Sequence, residues 1–190
     1  MINIDFSVYP DNIAILYSGG ADSALLYYLM AKQLKPRRLN LFIIDRINRP
    51  IYKAYFVFNM INSELNYFES TLTQLPIPTV EQFREVRVAT DILEQQYDCV
   101  VWGINQYPDD ESIRPKVLFN FQEHGKLKLP FARVPKYEII QTFYDLGISH
   151  ILHNTHSCGL PDDKPCGHCF NCRERLWAYN MLGMTPELGI

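Results

Sequence analysis

An apolar run over residues 13–17 ends abruptly at Ser18, Gly19 and Gly20, and over residues 22–35 the apolar positions take helical spacing until Pro36 stops them. A strand, a tight turn and a helix in that order commit the N-terminal part of the chain to a β-α unit. The pattern then recurs. Residues 39–44 read as a second buried strand, and residues 50–65 as a helix with Pro50 in its first turn. Residues 79–96 follow as a helix with Thr79 as N-cap, then residues 99–102 as a strand. After a polar loop over 103–115, residues 135–146 read as a helix closed by Gly147, and 148–152 as a short strand. Strands that are continuously apolar and alternate with helices predict an α/β fold, a mostly parallel sheet covered by helices on both faces. Such sheets bind ligands beyond the carboxyl ends of their strands, so the loops after Tyr17, Ile44 and Trp102 are the places to look.

The loop after the first strand, Ser18-Gly19-Gly20-Ala21-Asp22-Ser23, offers two glycines, two hydroxyls and one carboxylate at a helix N-terminus. Glycines let backbone N–H groups approach a ligand closely, and with the first helical turn they make a concave nest for phosphate oxygens. Asp22 would repel a bare phosphate; it makes sense as the holder of a Mg²⁺ that bridges phosphate oxygens. The loop is not a Walker A sequence, since it lacks that spacing and its lysine, nor is it a dinucleotide fingerprint. The plain alternative is a serine-capped turn in which the glycines serve geometry alone.

Four of the five cysteines crowd into Cys158, Cys166, Cys169 and Cys172. A disulfide framework would spread its pairs along the chain, whereas four thiolates in one short stretch satisfy tetrahedral Zn²⁺. An iron–sulfur cluster, a redox dithiol, or His156 or His168 in place of one cysteine remain open at this point. Cys99, flanked by Val100 and Val101, reads as core. Hydrophobic residues at 47% and charged residues at 21% in 190 describe one globular domain. No apolar run spans a bilayer and residues 1–10 carry no secretory pattern, so a cytoplasmic protein without a membrane partner is expected. A formal charge of −3 gives no overall pull toward nucleic acid, and Asp162, Asp163 and Glu174 offset Lys164, Arg173 and Arg175 around the cysteines.

The SGGADS loop is similar to the pyrophosphate loop, SGGxDS, of the ATP pyrophosphatase (PP-loop) superfamily. Together with C-x7-C-x2-C-x2-C near the C-terminus, it resembles the 7-cyano-7-deazaguanine synthase (QueC-like) family. Thr155, Ser157, Gly167 and Arg175 fall on matching positions of the cysteine segment. Gly103, Asn105, Tyr107, Pro108, Asp109, Arg114 and Pro115 resemble the family's G-x-N loop with its Tyr-Pro-Asp and Arg-Pro elements. Leu129, Pro130, Lys136, Glu138 and Ile139 are similar to its P-x(n)-K-x-E-I helix entry. The chain departs from the pattern after the second strand, where Asp45 stands alone before Arg46, Ile47 and Asn48. It departs again around Val80 to Gln82, and between Asp109 and Arg114, where residues are inserted and no cysteine occurs.

The resemblance implies an adenine nucleotide alpha hydrolase-like, Rossmann-like fold. An ATP-binding α/β domain would occupy residues 1–152, with a zinc-binding loop and helix at 153–190 packed on it. It implies an ATP-dependent C–N ligase that converts 7-carboxy-7-deazaguanine and ammonia to 7-cyano-7-deazaguanine through an adenylated carboxylate and an amide. Ser18, Gly19, Gly20, Ala21, Asp22 and Ser23 would bind ATP, with Mg²⁺ on Asp22 and Zn²⁺ on the four cysteines. Lys136 and Arg114 would neutralise charge on the α-phosphate or the substrate carboxylate, and Asp109 would add a metal ligand or touch the base. The plain readings are a solvated Lys136, and Arg114 and Asp109 stapling their own loop. The implied partners are a deazapurine and ammonia, with a homodimer left open. Rival readings are another PP-loop adenylating enzyme such as a tRNA thiolase, and a nucleotide-binding module without turnover.

Overall fold

The computed structural model describes residues 2–35, 37–44, 51–77, 84–115, 122–159 and 164–186. Pro36, Asp45 to Asn48, Pro50, Thr79, Val80 to Gln82, Asp162 and Asp163, each given a part above, lie outside the described residues. The elements run β1 (Ile13–Leu16), α1 (Ala21–Leu34), β2 (Asn40–Ile44), α2 (Ile51–Leu65), β3 (Thr71–Leu75), α3 (Arg84–Leu93), β4 (Cys99–Trp102), β5 (Leu127–Lys128), α4 (Lys136–Asp145), α5 (Ser149–Asn154) and α6 (Phe170–Met181). All pairings are parallel, in the order β3-β2-β1-β4-β5.

Both faces of the central strands are covered. Ile13, Ile15, Leu41, Ile43, Cys99 and Val101 point into a core shared with α1, α2, α4, α5 and α6. Ala14, Leu16, Val100 and Leu127 point the other way, against Val86, Ala89 and Leu93 of α3. Alternate residues of a strand face opposite sides, so burial on both faces is what made these strands read as unbroken apolar runs. After β1 the chain winds out through β2 and β3, then crosses back to β4 on the opposite side of β1. The carboxyl ends of β1 and β4 therefore flank a switch-point crevice.

Three elements differ from the sequence reading. Residues 148–152 are not a strand. Gly147, at φ +72°, ends α4 while Ile148 N–H donates to Phe143 O, and α5 begins at once. Ile148, Ile151 and Leu152, three and four apart, make one buried helical stripe with polar Ser149 and His150 between them. β3 and β5 are additional strands. β3, Thr-Leu-Thr-Gln-Leu, sits at the sheet edge and is half-buried, so it lacks the apolar run that marks an inner strand; β5 has two residues. No helix among the described residues is long and apolar enough to cross a membrane.

Candidate active site

The loop after β1 folds on its own side chains. Ser18 N–H donates to Ser23 Oγ at 3.2 Å, Gly20 N–H to Ser18 Oγ at 3.3 Å, and Ser23 Oγ–H to Gly20 O at 3.1 Å. Gly19 sits at φ +72°, and a Cβ there would stand 2.5 Å from the Cα of Ala54 in α2, so only glycine fits. α1 then starts without a side-chain cap, and its first-turn amides open into the crevice.

Asp22, in that first turn, meets Lys136 at the start of α4. Lys136 Nζ lies 2.6 Å from both carboxylate oxygens of Asp22 and 3.4 Å from Glu174 Oε2 of α6. Asn105, in the loop after β4, donates from Nδ2 to Glu174 Oε1 at 2.9 Å. Lys136 and Glu174 are 2% and 3% exposed. The plain reading of a solvated Lys136 is therefore corrected: the lysine is buried between two carboxylates, and Glu174 does not offset surface charge around the cysteines. Burial works against the Lys136 ammonium, but Asp22 and Glu174 outweigh it and the lysine's pKa rises above its ordinary value. Glu174 is also pushed up, chiefly by burial, with Asp22 adding to the rise and Lys136 opposing it.

These groups face a cavity of about 590 Å³ at the carboxyl ends of β1, β2 and β4, within the size range of small-molecule sites. Ser18, Gly20 and Ser23 form one wall, while Phe42, Ile44, Val86, Trp102 and Ile104 form an apolar one. Tyr107 and Phe170, in edge contact at 5.9 Å, stand at the side of α6. Arg114 and Asp109 are not among the lining residues. Arg114 Nε donates to Pro108 O at 2.6 Å and its Nη2 lies 3.5 Å from the exposed Asp109, so the pair holds its own loop.

The cysteines converge at the N-terminus of α6. Their four sulfurs lie within 4.8 Å of one another, with Cys158 and Cys169 at 4.0 Å and Cys166 and Cys172 at 3.9 Å. Tetrahedral zinc with bonds of about 2.3 Å calls for sulfurs about 3.8 Å apart, so this donor set fits such a metal. Neither His156 nor His168 belongs to the cluster; His168 is exposed and bonded to Cys166 O. The backbone N–H of Cys169 draws the Cys166 thiol down to about 6, while burial pushes Cys172 up to about 12. A cation held at their centre would favour all four thiolates. The cluster is joined to the cavity, since Cys169 lines it and His156 N–H donates to Gly19 O at 3.2 Å. Arg175, fully buried, donates to Thr155 O, Thr155 Oγ1 and Leu152 O, tying α6 to the end of α5. A Mg²⁺ on Asp22 would share that carboxylate with Lys136.

Glu174, Lys53 and His156 are lining residues that the sequence reading did not place in the site. For Glu174 a signal existed: it lies two residues past Cys172, in the first turns of a helix anchored on the cavity.

Comparison with known proteins adds the family context. Residues 97–183 match the family described as Queuosine biosynthesis protein QueC. The chain is 41% identical over 59 residues to the 7-cyano-7-deazaguanine synthase of Trichodesmium erythraeum, covering 31% of this chain and 26% of that one. It is 28% identical over 104 residues to that of Saccharolobus solfataricus, covering 48% of this chain and 22% of that one. The matched segments thus span about a quarter of the length of these relatives. In fold, the chain is similar to NMN synthetase from Francisella tularensis, with a TM-score of 0.58, 15% identity, and coverage of 94% and 80% of the two chains. It is also similar to the U34-tRNA thiolase NcsA from Methanococcus maripaludis with its [4Fe-4S] cluster, with a TM-score of 0.53, 15% identity, and coverage of 94% and 69%. The chain therefore shares the α/β fold of these two structures, and its residues 97–183 are similar in sequence to the QueC family.

Proposed function

We propose that the chain is an ATP-dependent C–N ligase that converts 7-carboxy-7-deazaguanine and ammonia to 7-cyano-7-deazaguanine. The observation that carries this reading is the meeting of the glycine loop, Lys136 and the cysteine helix in a single cavity. A carboxylate is a poor electrophile, so its oxygen first attacks the α-phosphorus of ATP, and pyrophosphate leaves. Ammonia adds to the activated carbonyl carbon; AMP departs with the C–O electron pair, a proton is lost, and an amide results. The amide oxygen then attacks the α-phosphorus of a second ATP, pyrophosphate leaves, and loss of AMP and both amide protons gives the nitrile.

The chain's residues divide this work by position. The loop 18–23 and the first turn of α1 receive the phosphates. Lys136, held charged by Asp22 and Glu174, places an ammonium where negative charge grows on the α-phosphoryl oxygens. The apolar wall of Phe42, Ile44 and Trp102, together with Tyr107, suits two flat heterocycles. Mg²⁺, held by Asp22, would supply a Lewis acid for the phosphates, and Zn²⁺ on Cys158, Cys166, Cys169 and Cys172 would supply a structural clamp. Arg114 and Asp109, on their own loop, would act only if that loop turned inward over a bound substrate.

Mass spectrometry after incubation with ATP, Mg²⁺, ammonia and 7-carboxy-7-deazaguanine tests the reading. Nitrile, AMP and pyrophosphate are the expected products. No consumption of the carboxylate in the presence of bound ATP would sink the substrate assignment. Metal analysis of the purified chain separates zinc from iron and sulfide, the latter being brown.

A further inference from the structure

Lys136 is already balanced, with Asp22 and Glu174 at 2.6 and 3.4 Å. The loop 18–23 has no lysine or arginine of its own, and its two serine hydroxyls bond within it. The remaining lining of the cavity carries two further basic side chains, Lys53 and His156.

That wall comes from two segments far apart in sequence. α2 carries Lys53 in its first turn, next to Ala54, the residue packed against Gly19. The chain after α5 carries His156 and Ser157. His156 N–H holds Gly19 O, and a Cβ on Gly20 would lie 3.6 Å from His156 O and 3.7 Å from Ser157 Oγ. Lys53 Nζ stands 3.4 Å from His156 Nδ1, and all three residues line the cavity that Lys136 also lines. An ammonium at that distance donates to Nδ1, which puts the imidazole proton on Nε2. Ser157 Oγ is buried and has no hydrogen-bond partner among the described residues. The first turn of α2 contains no acidic residue, so its N-terminal dipole adds charge of the same sign. A lysine, an imidazole and a serine hydroxyl gathered beside a glycine loop suit an oxyanion.

We propose that Lys53, His156 and Ser157 form the second wall of a pyrophosphate cradle and hold the β- and γ-phosphoryl groups of the nucleotide. This rests on the ATP-binding reading above. When the bond from the α-phosphorus to the bridging oxygen breaks, that oxygen keeps the electron pair, and Lys53 and His156 stabilise the charge that appears on the departing group.

The test is titration calorimetry of the metal-replete chain with pyrophosphate plus Mg²⁺ and, separately, with AMP. Lys53→Met should weaken pyrophosphate about tenfold, and His156→Gln or Ser157→Ala about threefold, with AMP changed less than twofold. Lys53→Arg should retain most of the pyrophosphate affinity. Lys53 is only part-buried, so these variants are expected to fold, and their melting temperatures serve as the check. Wild-type-like pyrophosphate binding by Lys53→Met, or an equal loss of AMP, would overturn the second wall while leaving the ATP reading intact. A wild-type chain that binds neither ATP nor pyrophosphate would overturn both.

Discussion

Lys136 is the residue on which the glycine loop and the cysteine-bearing helix both converge. Replacing it with methionine leaves Asp22 and Glu174 without their cation, and uncompensated buried charge of this kind costs about 3–5 kcal/mol. Lys136→Met should therefore melt well below the wild type and lose at least about a hundredfold in turnover. Glu174 provides the control. Its carboxyl is raised above 4.5 by burial, so its contribution to stability is full below that value and is lost as pH climbs through its folded pKa. Glu174→Gln removes this dependence; its stability relative to wild type should rise with pH just above 4.5, as followed by urea midpoints across a pH series. Lys136 titrates the other way. Its pKa is raised above 10.5, so the stability it confers is full below 10.5 and is lost as pH rises through the higher folded value. With Glu174 gone, that alkaline loss should begin at lower pH. A Glu174→Gln curve parallel to wild type at both ends would remove Glu174 from the electrostatics of the site.

At the scale of elements, the loop between β1 and α1 is the part most fully legible in the sequence, because its demands are local. Gly19 must adopt a left-handed φ and must pass within van der Waals distance of Ala54. Gly19→Ala should consequently cost at least about 1–2 kcal/mol from backbone strain alone and abolish measurable ATP binding. Inner strands were legible for a similar reason, since burial on both faces leaves an apolar run, whereas the edge strand β3 needs only one half-buried face and reads as polar. Residues 148–152 have the apolar composition of a strand, but the spacing of Ile148, Ile151 and Leu152 is helical. Lys53 was illegible for a different reason, and Glu174 was marked only by its place two residues past Cys172. Lys136 meets Asp22 across 114 residues of sequence, Lys53 meets His156 across 103, and Asn105 meets Glu174 across 69. No local pattern encodes such encounters. The cysteine cluster, by contrast, sits within one short segment and announces its geometry by spacing. Cys169→Ser should lose the metal and, with it, the anchor at the start of α6, which a lower melting temperature and reduced zinc content would register.

Across the whole molecule, a parallel sheet creates the crevice, α1 brings its N-terminus to it, and α6 borders it from the side of the cysteines. Because Glu174 and Cys172 ride on one helix, the proposed metal and nucleotide sites share a support. Stripping the metal with a chelator should weaken ATP binding as well as stability, whereas ATP affinity unaffected by full metal removal would separate the two. In the proposed reaction the loop and Lys136 activate a carboxylate by adenylation. The most direct measurement uses 7-carboxy-7-deazaguanine labelled with ¹⁸O in its carboxylate, with mass analysis of the AMP released. Transfer of one label to each of the two AMP molecules released per nitrile is the predicted result, since each attacking oxygen stays on phosphorus when AMP departs. Product formation with unlabelled AMP and labelled phosphate would contradict it, because activation would then have occurred away from the α-phosphorus.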